Sequence, residues 1–160
     1  MNLDILVLSE EHRDEIFAVI NAAAAKYAGV IPEESDTEPY MPMSEFQQEM
    51  AEMQFYGAIG DRLVAVIGIQ ERSDVTLIRH LYVRPEHQRQ GIGTRLLEMG
   101  MAVAEADTVL VGTWQAAEWA IRFYEQHGYE NLGTDADLLS TYWDIPDHQI
   151  AASVVLRSTT

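Results

Sequence analysis

A glycine-bearing loop set between a strand and a helix constrains this chain more than any other feature. Residues 75–83 read as a strand and residues 94–106 as a helix. Between them run Gln88, Arg89, Gln90, Gly91, Ile92, Gly93 and Thr94. A strand that ends in such a loop and opens straight into a helix leaves several backbone N–H groups unpaired at one spot. The positive end of the helix dipole points at the same spot, so the arrangement favours a bound phosphate or pyrophosphate. Glycine matters there because a side chain would hold an anion's oxygens away from the amides.

The loop's composition narrows the anion. A P-loop needs a lysine after its second glycine, and the chain's only lysine is Lys26. The dinucleotide fingerprint fails at its third glycine, where Leu96 stands. The spacing that fits is Arg/Gln-x-x-Gly-x-Gly/Ala, with Gln88, Gly91 and Gly93 in the defining places. A second pattern follows downstream, Ala-x-x-Phe-Tyr-x-x-x-Gly-Tyr, filled by Ala120, Phe123, Tyr124, Gly128 and Tyr129. Residues 116–126 are rich in helix formers, with Ala120, Phe123, Tyr124 and His127 on one face. Gly128 sits where a left-handed residue ends a helix, before a strand at 129–132. With these two motifs and the element order over 62–132, the chain resembles the GNAT superfamily of acetyl-CoA-dependent N-acetyltransferases.

Size and charge set outer bounds. With 160 residues and 48% hydrophobic content, the chain suits one domain spanning 1–160. No apolar run approaches a membrane span, and the N-terminus does not read as a signal peptide. Cysteine is absent, which excludes thiolate chemistry and accords with a cytoplasmic setting. Five scattered histidines make no ligand pair on a helix face, so no metal site is expected. A net charge of −16 argues against nucleic acid or an anionic membrane as partner. Against that background Arg79, Arg84, Arg89 and Arg95 cluster around the loop, an expected positive island for an anionic cofactor.

Along the rest of the chain, Leu3, Ile5 and Val7 alternate as a short opening strand. Ser9 is placed to cap a helix whose buried stripe is Ile16, Ile20, Ala23 and Tyr27. Residues 28–42, with Pro32, Pro39 and Pro42, read as a long loop. Ser44 and Gln47 have the form of a capping box for a helix to about Met53. Residues 54–59 and 62–70 are strands of a hairpin turning at Gly60 and Asp61. A strand at 108–113, a short helix at 135–143 broken by Pro146, and a closing strand at 151–157 complete the reading. The expected fold is α+β, a mixed central sheet with helices on both faces.

The resemblance implies more. Two central strands should splay into a V that takes the pantetheine arm, with the backbone of Leu81, Tyr82 and Val83 on one limb. The amides of Arg89, Gln90, Gly91, Ile92, Gly93 and Thr94, with Gln88, should hold the pyrophosphate. Tyr124 aligns with the tyrosine that protonates the departing thiolate, and a phenol with an ordinary pKa of about 10 can donate at neutral pH. For the general base the candidates are His80, then Glu71, with Asp74 close by. Relatives often carry an asparagine where Ala117 stands, and Trp114 is placed either to pack over the pantetheine or to shape the acceptor pocket. The acceptor would be a primary amine on a small molecule or peptide, attacked directly. Residues 28–42 carry Glu33, Glu34, Asp36 and Glu38 between Tyr27 and Tyr40. With Tyr142, Trp143 and Asp144 they are expected around the acceptor. Acid with aromatic suits a cationic amine, although a solvated acidic loop on an acidic protein is the stronger reading of these residues. A non-catalytic acyl-CoA-binding module shares the same loop, a longer acyl donor is a further alternative, and a homodimer stays open.

Overall fold

Seven strands form one mixed sheet in the order β1-β2-β3-β4-β5-β7-β6. A computed structural model describes residues 2–159. The strands are β1 (Asp4–Val7), β2 (Gln54–Ile59), β3 (Leu63–Glu71), β4 (Thr76–Val83), β5 (Thr108–Trp114), β6 (Glu130–Asn131) and β7 (Ser153–Thr159). Helices α1 (Arg13–Ala24), α2 (Met43–Met50), α3 (Ile92–Val103), α4 (Glu118–Gln126), α5 (Ala136–Tyr142) and α6 (Asp147–Ala151) connect them. Every neighbouring pair is antiparallel except β4 and β5, which run parallel.

Strand periodicity sorts the core into two faces. Val109 and Val111 of β5 pack with Ile92, Leu96 and Leu97 of α3, while Leu110 packs with Leu139 of α5. On β3, Leu63 and Val66 meet α1 and α2 through Ile16, Ile20 and Phe46, and Ile67 and Ile69 meet α3. Leu63 to Ile69 are all buried, as a strand covered on both faces must be. The helices therefore lie on both faces of the mixed sheet, as the sequence predicts.

The central parallel pair holds for three residues only: Thr76 with Val109, Leu77 with Leu110 and Ile78 with Val111. Beyond Ile78, β4 keeps β3 as its sole partner and β5 keeps β7. The sheet forks there. Opposite the fork the β3–β4 register slips between Val66 and Gly68, and His80 takes a left-handed φ of 56°. Gly68 faces the slip because a Cβ there would lie 3.1 Å from the Arg79 carbonyl oxygen. Such a bulge re-aims the side chains that follow it.

Several local expectations shift. Ser9 precedes a short 3-10 turn, Glu10–His12, and its N–H donates to His12 Nδ1 at 3.1 Å before α1 begins. Helix α2 starts at Met43 behind Pro42 and ends at Met50, so Ser44 lies within its first turn and no capping box forms. Seating Phe46 in the core sets that phase. Val7 is 61% exposed because β1 ends there and Leu8 turns inward instead. Pro146 does not simply end structure; it starts α6.

Candidate functional site

The glycine loop leaves β4 at Val83, makes a turn at Pro85–His87, and enters α3. Arg89 and Gly91 both take left-handed φ values, 64° and 79°. Gly91 is the residue before the first helical turn and has no side-chain cap, so the Ile92, Gly93 and Thr94 amides have no acceptor within the helix. Gln88 braces the turn by donating from Nε2 to the Val83 carbonyl at 3.1 Å. From α4, His127 Nδ1 lies 2.7 Å from the Phe123 carbonyl and its Nε2 lies 3.1 Å from Thr94 Oγ1. A carbonyl only accepts, so Nδ1 carries the hydrogen, and in that tautomer Nε2 accepts a hydrogen bond from the Thr94 hydroxyl. The start of α3 is thereby tied to the end of α4.

A cavity of about 510 Å³ opens over this loop. Its wall includes Leu81, Tyr82, Val83, Gln88, Arg89, Gly91, Ile92, Gly93, Thr94 and Tyr124. Gln90 is exposed and lies outside that lining. A Cβ at Gly93 would meet only ordinary contacts, 3.6 Å from Phe123 and 3.7 Å from Val83, so the protein itself does not forbid a side chain. Buried in the same wall, His87 Nδ1 lacks a partner among the described residues. Unpaired amides, spare room and an orphaned nitrogen fit an anionic, hydrogen-bonding ligand.

The arginine island disperses. Only Arg89 of the four lines the loop cavity, joined by Lys26 from the turn after α1. Arg79 is drawn to Glu49 at 2.7 Å and Gln70 at 3.1 Å, and Arg84 donates to the Leu63 carbonyl at 2.8 Å. Arg79 lies on β4, Arg84 just beyond its end and Arg95 on α3, so closeness in sequence did not become closeness in space.

A second cavity, about 590 Å³, opens on the other side of Tyr27 and Tyr82, which line both. The two phenolic oxygens lie 3.4 Å apart. His80, Arg79 and Glu49 stand in this second wall, with Glu45, Tyr40, Trp114, Tyr142 and Trp143. Trp114 belongs here rather than to the loop cavity, its Nε1–H donating to Tyr40 at 2.8 Å. Of the acids at 28–42, only Glu34 reaches this lining. Glu71 is brought to neither cavity. Its carboxylate accepts from the Thr76 hydroxyl and, at 3.0 Å, from the Glu105 amide. Asp74 is likewise outside both linings, accepting from the Tyr142 hydroxyl at 2.5 Å. Ala117 is 0% exposed beside Trp114 and Tyr27, a packing position rather than a gap in a polar wall.

A family model for the acetyltransferase (GNAT) domain matches residues 51–131, from the end of α2 through β6. The chain belongs to the GNAT acetyltransferase family. No curated protein matches the sequence. Among solved structures it is similar to the paia N-acetyltransferase of Thermoplasma acidophilum in complex with coenzyme A. That pair shares 19% identity and a TM-score of 0.78, covering 100% of both chains. A GNAT-family acetyltransferase of Staphylococcus aureus Mu50 follows at 15% identity and a TM-score of 0.77, with 99% of each chain covered. The ribosomal-protein-S18-alanine N-acetyltransferase of Escherichia coli shares 16% identity and a TM-score of 0.70, over 99% of this chain and 94% of its own. At these identities the likeness is one of fold.

Electrostatics divide the two walls of this GNAT protein. Burial pushes the Tyr124 phenol well up, with the neighbouring Tyr27 and Tyr129 adding to it, so the group stays protonated. Its hydroxyl takes no hydrogen bond from the described residues. Burial likewise raises Tyr82 and Tyr40. Glu49 goes the other way. Burial works to raise it, but the hydrogen bond with His80 and the charges of His80 and Arg79 outweigh burial and hold it below the usual carboxylate range. The sequence reading missed Glu49. Its position three residues after Phe46, on the buried face of α2, was the available signal.

Proposed function

We propose that this chain is an acetyl-CoA-dependent N-acetyltransferase, working as one unit across 1–160, that acetylates a primary amine of a small molecule or peptide. One observation carries the reading. A proton-holding phenol in the loop cavity and an imidazole in the second cavity stand on either side of a shared tyrosine pair. Transfer to an amine needs both a group that removes a proton and a group that supplies one.

Acetyl-CoA, bound as co-substrate, would supply a thioester whose acyl carbon is open to an amine. The amides of Arg89, Gly91, Ile92, Gly93 and Thr94 would hold its diphosphate, and the Arg89 and Lys26 side chains would add positive charge from the same wall. The backbone of Leu81, Tyr82 and Val83, free of β5, would pair with the pantetheine arm as an added strand does. His80 takes the proton that leaves the acceptor nitrogen as the N–C bond forms. Tyr124 gives its proton to the sulfur as the C–S bond breaks. Cysteine is absent, so direct attack in a ternary complex is the simplest route.

The test is a screen of polyamines, amino acids, aminoglycosides and peptide N-termini with acetyl-CoA, read as free thiol. Thiol release that depends on one amine class supports the reading. Tight acetyl-CoA binding without release from any amine would replace it with a non-catalytic acyl-CoA-binding module.

A further inference from the structure

Glu49 is marked by no motif, yet its carboxylate meets His80 in the wall of the second cavity. We infer that Glu49 is a positioning residue, holding His80 in the tautomer that can take a proton from the acceptor amine. The inference rests on the acetyl-transfer reading above.

Glu49 sits on the inward face of α2 and is only 8% exposed. A carboxylate is seldom buried without partners. Here both partners reach the same oxygen: Arg79 at 2.7 Å and His80 Nε2 at 2.6 Å lie on Oε1. An ionised carboxylate can only accept, so Nε2 must carry a hydrogen, and in the neutral ring the lone pair falls on Nδ1. Nδ1 has no partner among the described residues and is not sealed from solvent, while His80 itself lines the second cavity. The ring has two aromatic neighbours, Phe55 at 6.1 Å and 18° and Tyr82 at 6.2 Å. The left-handed backbone at His80 is the kind of local strain that persists where surrounding structure over-determines it.

The chemistry at this pair is a single proton movement. An N–H bond of the acceptor breaks, an N–H bond forms at Nδ1, and the resulting imidazolium lies against a carboxylate that Arg79 keeps ionised. The orienting carboxylate of a serine-hydrolase triad acts in the same sense, fixing a tautomer without itself taking the proton. The titratable and charged groups around the ring are Glu49 and Glu45 on α2 and Arg79 and Tyr82 on β4; Phe55 on β2 contributes only an apolar face.

Glu49→Gln keeps the side chain's shape and removes its charge, and Glu49→Asp keeps the charge. In the unaltered protein, nitrogen NMR of His80 should show the tautomer protonated at Nε2, and Glu49→Gln, whose amide can meet Nε2 with either its oxygen or its NH2, should weaken that preference. With an amine from the screen, Glu49→Gln should lower kcat at neutral pH roughly tenfold. The acid limb of its kcat/KM profile should no longer coincide with that of the unaltered protein. Glu49→Asp should restore the limb. Acetyl-CoA affinity, set in the other cavity, should be unchanged in both variants. An unchanged tautomer and coincident limbs in Glu49→Gln would overturn the inference, leaving Glu49 as Arg79's counter-ion alone. Absence of turnover in the unaltered protein would overturn the acetyl-transfer reading first and is seen before any variant is made.

Discussion

The cavity at the glycine loop takes most of its wall from two stretches of chain, 81–94 and 119–126. The cavity beyond Tyr27 and Tyr82 gathers α2, the loop before it, the middle of β4, the end of β5 and the α5–α6 segment. The first presents main-chain amides, whose direction is fixed by φ and ψ. The second presents side chains carried by elements far apart in sequence. Backbone recognition must write itself as glycine spacing, because only certain residues permit the geometry. Side-chain recognition can be assembled from any sequence that brings the right groups together.

If that contrast is correct, substitutions should sort by cavity, and the largest effect should come from the loop. Gly91→Val forces a β-branched residue into a left-handed φ of 79° and fills the space before the amides. Acetyl-CoA should bind roughly a hundredfold more weakly by calorimetry, with the backbone strain costing about 1–2 kcal/mol of stability. Unaltered affinity would break the comparison at its stronger limb. Tyr124→Phe removes a hydroxyl without disturbing the ring contacts. Turnover should fall at least about tenfold while acetyl-CoA affinity stays put. Equal turnover would take Tyr124 out of the acid's role.

Acidification should read the second cavity through stability. The folded-state value of Glu49 is depressed, so its contribution is fully present above the ordinary carboxylate range and is lost as pH falls through the depressed value. Thermal midpoints recorded from pH 7 down to about 2 should therefore fall more steeply for the unaltered protein than for Glu49→Gln below about pH 4. Gly112→Ala is subtler. The new methyl would meet the Trp143 indole at 3.1 Å, and the indole must give way. The acceptor KM should change a few-fold, stability should drop by about 1 kcal/mol, and acetyl-CoA affinity should hold. Smallest of all is Asp74→Ala, which releases Tyr142 at an exposed contact. About a twofold change in acceptor KM is expected, since exposed pairs contribute little.

The same contrast explains what the sequence disclosed. The loop, the Ala-x-x-Phe-Tyr helix and its glycine stop were legible because each imposes a local backbone requirement. Gly128 takes φ 89°, and the amides of Gly128 and Tyr129 close on the carbonyls of Glu125 and Tyr124, which is how α4 presents Tyr124. Glu49 was hidden among 26 acidic residues, with only its phase on α2 to separate it from the rest. Glu71 seemed close to the loop because a hairpin joins its strand to β4. Antiparallel pairing places it opposite Thr76, roughly 20 Å along β4 from the loop. Trp114 was correctly placed at the end of β5, but the side of the fork it serves could not be read from spacing.

The fork itself has a consequence for how the protein coexists with copies of itself. A strand lacking a neighbour is ordinarily an invitation to aggregation, and proteins blunt such margins with charge or brevity. Here the missing neighbour lies mid-sheet, where β4 runs past Ile78 between walls carrying Tyr27, Trp119 and Tyr124. Flanked by β4 on one side and β5 on the other, that gap presents the unpaired groups inside the sheet rather than at its margin. The molecule can thus keep adhesive main-chain groups permanently ready without exposing them to the crowd outside.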